Sequence, residues 1–197
     1  MLLHWSPASP FARKVLACAI LRGIELPVVE TNPHASPPEL LAANPLSKIP
    51  CLLTDDGRAI YDSRVIVEYL DTLGTAPPVV PTDAARIRVL TSQALADGMM
   101  DAAVARRGEA ARPEEAARTA NMERQKAAVD RGLAALEATP PAGLNDVGVI
   151  AAACALGYLD FRFPGEPWRA AHPKLAAWFE RASKLPALAR TEPKAPR

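Results

Sequence analysis

The chain has 197 residues, of which 49% are apolar, 23% charged and 5% aromatic, with a formal charge of +1. This is globular composition with room for one large domain or two small ones, and it excludes a disordered tail, a repeat solenoid and a mini-protein that depends on staples. Up to residue 80 there are 6 Lys and Arg against 8 Asp and Glu, and beyond it 17 against 14, so the halves carry −2 and +3. Neither excess draws nucleic acid or an anionic membrane.

Cys18, Cys51 and Cys154 are an odd number without CxxC or Cys/His ligand spacing, and the three histidines are scattered. Neither a disulfide framework nor a metal site is expected. The early apolar run VLACAIL, residues 15–21, is closed by Arg22 and preceded by two prolines. It reads as a buried helix rather than an export signal. No apolar run approaches the ~20 residues that cross a bilayer, so a soluble, cytoplasmic protein is expected.

In chain order, Leu2 to Trp5 predicts a strand, stopped by SPASP, and a helix follows from Pro10 to about Gly23, with Ser9 as N-cap. Pro27 to Glu30 predicts a second strand and Pro38 to Ala43 a short helix. IPCLL and AIY, on either side of TDDG, predict an antiparallel hairpin through the Asp-Gly turn signal. Asp62 is placed to cap a helix from Ser63 to about Leu73, with Val65, Ile66, Tyr69, Leu70 and Leu73 on one face. The order is βαβαββα. GTAPPVVPTD, residues 74–83, has three prolines and serves as the linker. Beyond it come four Ala/Leu/Arg/Glu-rich stretches, Ala84 to Arg107, Pro113 to Leu136, Asp146 to Phe161 and Pro173 to Ala182, which predict an all-helical bundle.

Ser9 stands where a strand gives way to a helix, so its oxygen lies beside unpaired N–H groups with partial positive charge, where an anion is stabilised. A free thiol of pKa near 8.5 is only about 3% thiolate at pH 7, and a helix N-terminus lowers such values. The same position is also an ordinary N-cap. Asp62 and Ser63, directly after a strand residue, form a second helix start of the same kind. No GxSxG, GxGxxG, P-loop or HExxH pattern occurs.

Three segments in the first half, SPFARKVLACAILRGIE (9–25), NPLSKIPCLL (44–53) and IYDSRVIVEYLD (60–71), look like the thioredoxin-like half of a bacterial glutathione transferase. The likeness continues through ALADGMMDAAVARRGEAARPEE (94–115), ACALGYLDFR (153–162) and HPKLAAWFERASKLPAL (172–188), and so spans nearly the whole chain. It implies an α/β thioredoxin-like domain over residues 1–76 and an all-helical domain over residues 84–197. The implied activity is attack of the glutathione thiolate on a small apolar electrophile, with Ser9 stabilising the thiolate and Ser6 as its rival. Serine can donate to the thiolate but cannot form a mixed disulfide, which favours conjugation over disulfide reduction. Glutathione is then a co-substrate and no other cofactor or metal is called for.

The same resemblance implies that glutathione touches Ser9, Phe11, Lys48, Ile49, Pro50, Asp62 and Ser63. It makes the Ile49-Pro50 bond cis, where the base rate for X-Pro favours trans. The N–H and C=O of Ile49 then pair with the cysteinyl part, Ser63 holds the γ-glutamyl carboxylate and Asp62 the α-amino group. Lys48 and Arg13 are candidates for the glycyl carboxylate. Met100, Ala103 and Arg107, with Met99, are candidates for the electrophile pocket, and equally read as helix packing. Relatives in the family carry a carboxylate three residues after the cap at Asp146, where this chain has Val149. The resemblance also implies a homodimer. The competing reading is a glutathione-binding or interaction module with little turnover, against which the intact Ser9, Ile49-Pro50 and Asp62-Ser63 speak.

Overall fold

The computed structural model describes residues 1–196. Its first part contains β1 (Leu2–Trp5), α1 (Pro10–Leu21), β2 (Val28–Glu30), a 3-10 turn (Pro33–Ala35), α2 (Pro38–Ala43), β3 (Cys51–Leu53), β4 (Ala59–Ile60) and α3 (Ser63–Asp71). The second is helical: α4 (Arg86–Glu109), α5 (Ala116–Ala138), α6 (Val147–Arg162), α7 (Pro173–Ala182) and α8 (Pro186–Ala189). The predicted order is present, with ends shifted by a few residues. The 3-10 turn and α8 are additions.

The sheet order is β2-β1-β3-β4. β1 runs parallel to β2, with Leu3 opposite Val28, and antiparallel to β3, with Leu3 opposite Leu52. A parallel pair needs a crossover, and α1 supplies it. α1 lies against α3 and also against α4, α6 and α8. Packing on both sides explains why Ala12, Val15, Ala17, Cys18 and Ala19 are all buried, and why the run VLACAIL lacks a polar face.

One apolar core runs from Leu3 on β1 through Val15 and Ile66 to Ile150 and Leu188, so the α/β and helical parts share it. The linker is fastened to it. The Asp71 carboxylate accepts from the N–H groups of Val79 (3.1 Å) and Val80 (2.8 Å), and the Val79 carbonyl accepts from Val147 N–H (2.8 Å). Arg22 pairs with the same Asp71 at 3.0 Å.

One detail of the predicted pattern is corrected. α3 buries Ser63, Ile66, Val67 and Leu70, while Val65 and Leu73 are exposed. The apolar stripe of α3 is wider than the surface that covers it: α3 packs on α1 and β3, and only its 63/66/67/70 row is buried.

Candidate active site

β1 ends at Trp5 and the chain turns through Ser6–Ser9 into α1. Ser9 N–H donates to the Ser6 carbonyl (3.0 Å) and Ala8 N–H to Ser6 Oγ (3.3 Å). Lys194 N–H donates to the Pro7 carbonyl (3.1 Å), so the C-terminal segment closes over this turn. Ser9 caps α1 as predicted, its Oγ accepting from Ala12 N–H at 3.2 Å. The bond uses a lone pair and leaves the hydroxyl proton without an acceptor among the described residues. Ser9 is half-buried, beside the Phe11 N–H, the one first-turn donor left free among the described residues, since Pro10 has none and those of Ala12 and Arg13 donate to Ser9.

The other expected residues fall as follows. Phe11 is half-buried against the core. Lys48 is exposed, Ile49 half-buried and Pro50 buried, and the Ile49–Pro50 peptide is cis. Asp62 caps α3, its Oδ1 accepting from Arg64 N–H at 3.0 Å, and Ser63 opens the helix with little exposure. Met100 and Ala103 are sealed in the core at 0% and 1% exposure, so of the electrophile-pocket candidates only Arg107 presents a side chain to the outside. Arg13 is corrected: it is buried and donates to the Leu188 carbonyl at 3.2 Å. A Cβ on Gly157 would collide with its Nη1, so it points into the packing of α1 on α6 and α8 and cannot reach a glycyl carboxylate at the surface.

Local sequence reasoning misses the charges that tie the two helix starts together. Lys14 on α1 and Asp97 on α4 are both buried, and Lys14 Nζ donates to both Asp97 oxygens at 2.8 and 2.9 Å. Arg64, next to Ser63, donates from Nε to Asp97 Oδ2 at 2.8 Å. One carboxylate therefore holds α1 and α3 in fixed relation. Asp101, one turn further along α4, has its carboxyl raised by partial burial and then by the charge of Asp97, against the pull of Arg64 and Lys48. Asp101 thus feels two cations, Lys48 and Arg64, and two further carboxylates, Asp97 and Asp62. The only signal in sequence is charge inside an otherwise apolar helical run: Lys14, beside Arg13, within ARKVLACAIL and Asp97 alone within ALADGMM.

The three cysteines are buried and free. Burial pushes the Cys154 thiol up to about 11 and raises Cys18 and Cys51 as well, so none is a ready nucleophile. No group of three or more His, Cys, Asp or Glu suited to a metal occurs among the described residues. No helix among them is long and apolar enough to cross a membrane. Two surface hollows, about 530 Å³ along α7 and about 630 Å³ between β4 and α3, contain none of the residues expected to touch glutathione.

A four-stranded mixed sheet with one helix start carrying a serine cap and another carrying Asp-Ser, backed by a helical bundle, defines the architecture of a glutathione transferase. The family model "Glutathione S-transferase, N-terminal domain" matches residues 8–73, and "Glutathione S-transferase, C-terminal domain" matches residues 150–181. The uncharacterized GST-like protein YibF of Escherichia coli K12 is 34% identical over 98% of this chain and 98% of its own. A glutathione transferase family member from Pseudomonas fluorescens Pf-5, solved with bound glutathione, is 42% identical with a TM-score of 0.91, covering 98% of this chain and 99% of that one. A second structure from that strain, described the same way and holding S-(propanoic acid)-glutathione, is 41% identical with a TM-score of 0.87, covering 99% of this chain and 100% of that one. The chain belongs to the glutathione S-transferase family.

Proposed function

We propose that this chain joins the sulfur of glutathione to a small electrophile of apolar bulk, with the thiolate held by Ser9. The observation that carries the reading is the Ser9 hydroxyl, which accepts from the helix and keeps its own proton for a sulfur at the N-terminal end of α1. Glutathione and a glutathione thioether sit in the Pseudomonas fluorescens relatives, which supports a site that admits both the co-substrate and a sulfur already bonded to carbon.

In this reading Ser9 Oγ–H donates to the sulfur and the first turn of α1 adds its partial charge. Lowering a thiol pKa by two units needs only ~2.7 kcal/mol, within the range of one charge-assisted hydrogen bond plus a helix end. Ionisation alone then gains at most about thirtyfold, so the rest of the rate comes from positioning. Ile49, beside Pro50, pairs with the cysteinyl backbone, Ser63 and the start of α3 hold the γ-glutamyl carboxylate, and Asp62 meets the α-amino group. Phe11 and Lys48 border the tripeptide. The thiolate electron pair forms the sulfur–carbon bond, and the displaced pair leaves with the departing group or takes a proton from water. The chain works as a homodimer in the cytoplasm, with no metal or prosthetic group.

The test is thiol titration in the bound state. Ser9→Ala raises the pH at which thiolate absorbance of bound glutathione develops and lowers the conjugation rate. An unchanged titration assigns the role elsewhere, with Ser6→Ala as the next variant. Absence of any heat of binding with glutathione would remove the proposal altogether.

A further inference from the structure

The segment that follows α8 meets the Ser9 turn from outside it. Its root is firm: Ala187 and Leu188 are buried, and α8 packs on α1. Thr191 Oγ1 donates to the Ala187 carbonyl at 2.7 Å, which folds the chain back on the end of α8. The Leu188 carbonyl accepts from Arg13 Nη2 at 3.2 Å, while Nε and Nη1 of this buried guanidinium have no partner among the described residues. Burial of such a charge is costly, and the grip on Leu188 is the one contact that a hydrocarbon of the same length would not make. Arg13 is in turn tied to Ser9, its own N–H donating to the Ser9 carbonyl at 3.0 Å. Further along the segment, Lys194 N–H donates to the Pro7 carbonyl at 3.1 Å. The segment therefore grips this end of α1 on both sides of Ser9, through Arg13 after it and Pro7 before it.

The second grip falls where the turn is weakest. Both N–H groups inside the turn go to Ser6, that of Ser9 to its carbonyl at 3.0 Å and that of Ala8 to its Oγ at 3.3 Å. The first bond closes a β-turn whose central peptide is Pro7–Ala8, and a β-turn's own hydrogen bond leaves its central peptide free to tilt. Pro7 has no N–H to steady it. Among the described residues, Lys194 is the one residue outside the turn that hydrogen-bonds to this peptide. Ser9 follows directly, so the tilt of Pro7–Ala8, together with the cap on Ala12, sets where Ser9 Oγ stands.

We propose that residues 188–194 form a strap that positions Ser9, with the backbone N–H of Lys194 as the positioning group and its exposed side chain without a part in it. Small displacements of a group that must meet a reacting atom cost large factors in rate, which is what a bond at this peptide prevents. The strap rests on the reading of Ser9 as the thiolate donor and adds to it a group distant in sequence.

Lys194→Pro removes the N–H, whereas Lys194→Ala keeps it and removes the charge. Lys194→Pro raises the pH at which thiolate absorbance of bound glutathione develops, so that the thiolate fraction at a fixed pH below that midpoint falls about threefold to tenfold, the range of one hydrogen bond. Its affinity for S-methylglutathione, which has no thiol to ionise, stays within about twofold of the wild type by calorimetry. Lys194→Ala matches the wild type in both. One measurement needs no variant: in the wild-type chain the Lys194 amide exchanges with deuterium at least about tenfold more slowly than in an open chain. A wild-type titration in Lys194→Pro, an equal shift in Lys194→Ala, an equal loss of S-methylglutathione affinity, or open-chain exchange at Lys194 each overturns the strap. Ser9→Ala is the reference. If it shifts the titration and Lys194→Pro does not, the strap alone falls; if Ser9→Ala leaves the titration unchanged, the role of Ser9 falls and the strap with it.

Discussion

Lys14 has no exposed surface, and its ammonium meets a carboxylate that is itself 1% exposed. A charge so placed is costly unless paired, and removal of one partner of such a pair typically costs about 3–5 kcal/mol. Asp97→Asn keeps the shape and removes the charge. Arg64, whose side chain is 53% exposed, turns to water, but Lys14 cannot. The expected loss is therefore about 3–5 kcal/mol by urea denaturation with linear extrapolation, borne by Lys14. A loss under about 1 kcal/mol would contradict a buried, charge-dependent pair. Replacing the pair together, Lys14→Met with Asp97→Leu, recovers much of it, because apolar packing substitutes for a buried ion pair at little cost. The role of these residues is hidden in the sequence for a physical reason. Lys14 and Asp97 are 83 positions apart, and each taken in its own window reads as a solvated charge. The same blindness makes Arg13 look like a ligand contact.

At the scale of elements, what is legible is what is local. Ser9 before Pro10, Asp62 before α3 and Asp146 before α6 each cap the helix they are read to cap, Asp146 accepting from Val149 N–H at 3.0 Å. The Asp-Gly turn places the β3–β4 hairpin. The four residues of α8 have no periodicity to read, and α3 shows its buried row only when its neighbours are known. The crossing of α6 on α4 is another such long-range matter. A Cβ on Gly148 would lie 2.8 Å from Ser92 Cβ and 2.9 Å from the Val89 carbonyl oxygen. Alanine in place of glycine gains up to about 1 kcal/mol in a helix, whereas overpacking costs about 1–3 kcal/mol, and a backbone oxygen cannot swing aside. Gly148→Ala is thus destabilising by about 1–2 kcal/mol in urea. Gly108→Ala, with nothing within 4 Å of the added carbon, leaves stability unchanged or raises it by up to about 1 kcal/mol. Equal effects at both positions would contradict a close crossing at Gly148.

At the scale of the whole molecule, the apolar surface left uncovered is unevenly placed. Val65 on α3 is 51% exposed, and Ile87 and Leu95 on α4 are 73% and 37% exposed. These helices are held side by side by Glu68 and Arg86 at 2.6 Å, and the hollow of about 630 Å³ between β4 and α3 adjoins Val65. Scattered single residues of this kind are ordinary, but a run of them across two neighbouring helices is the surface that association covers. The proposed homodimer is expected to meet there, with sedimentation equilibrium giving twice 21.0 kDa. Ile87→Glu sets a charge in the apolar patch of both copies and shifts the protein to the single-chain mass. A wild-type mass of 21.0 kDa at micromolar concentration would refute the dimer. Ser9, Ile49, Asp62 and Ser63 all come from one chain, so the separated Ile87→Glu chain is expected to keep its affinity for glutathione. A large fall in that affinity on separation would mean instead that the second copy supplies part of the site.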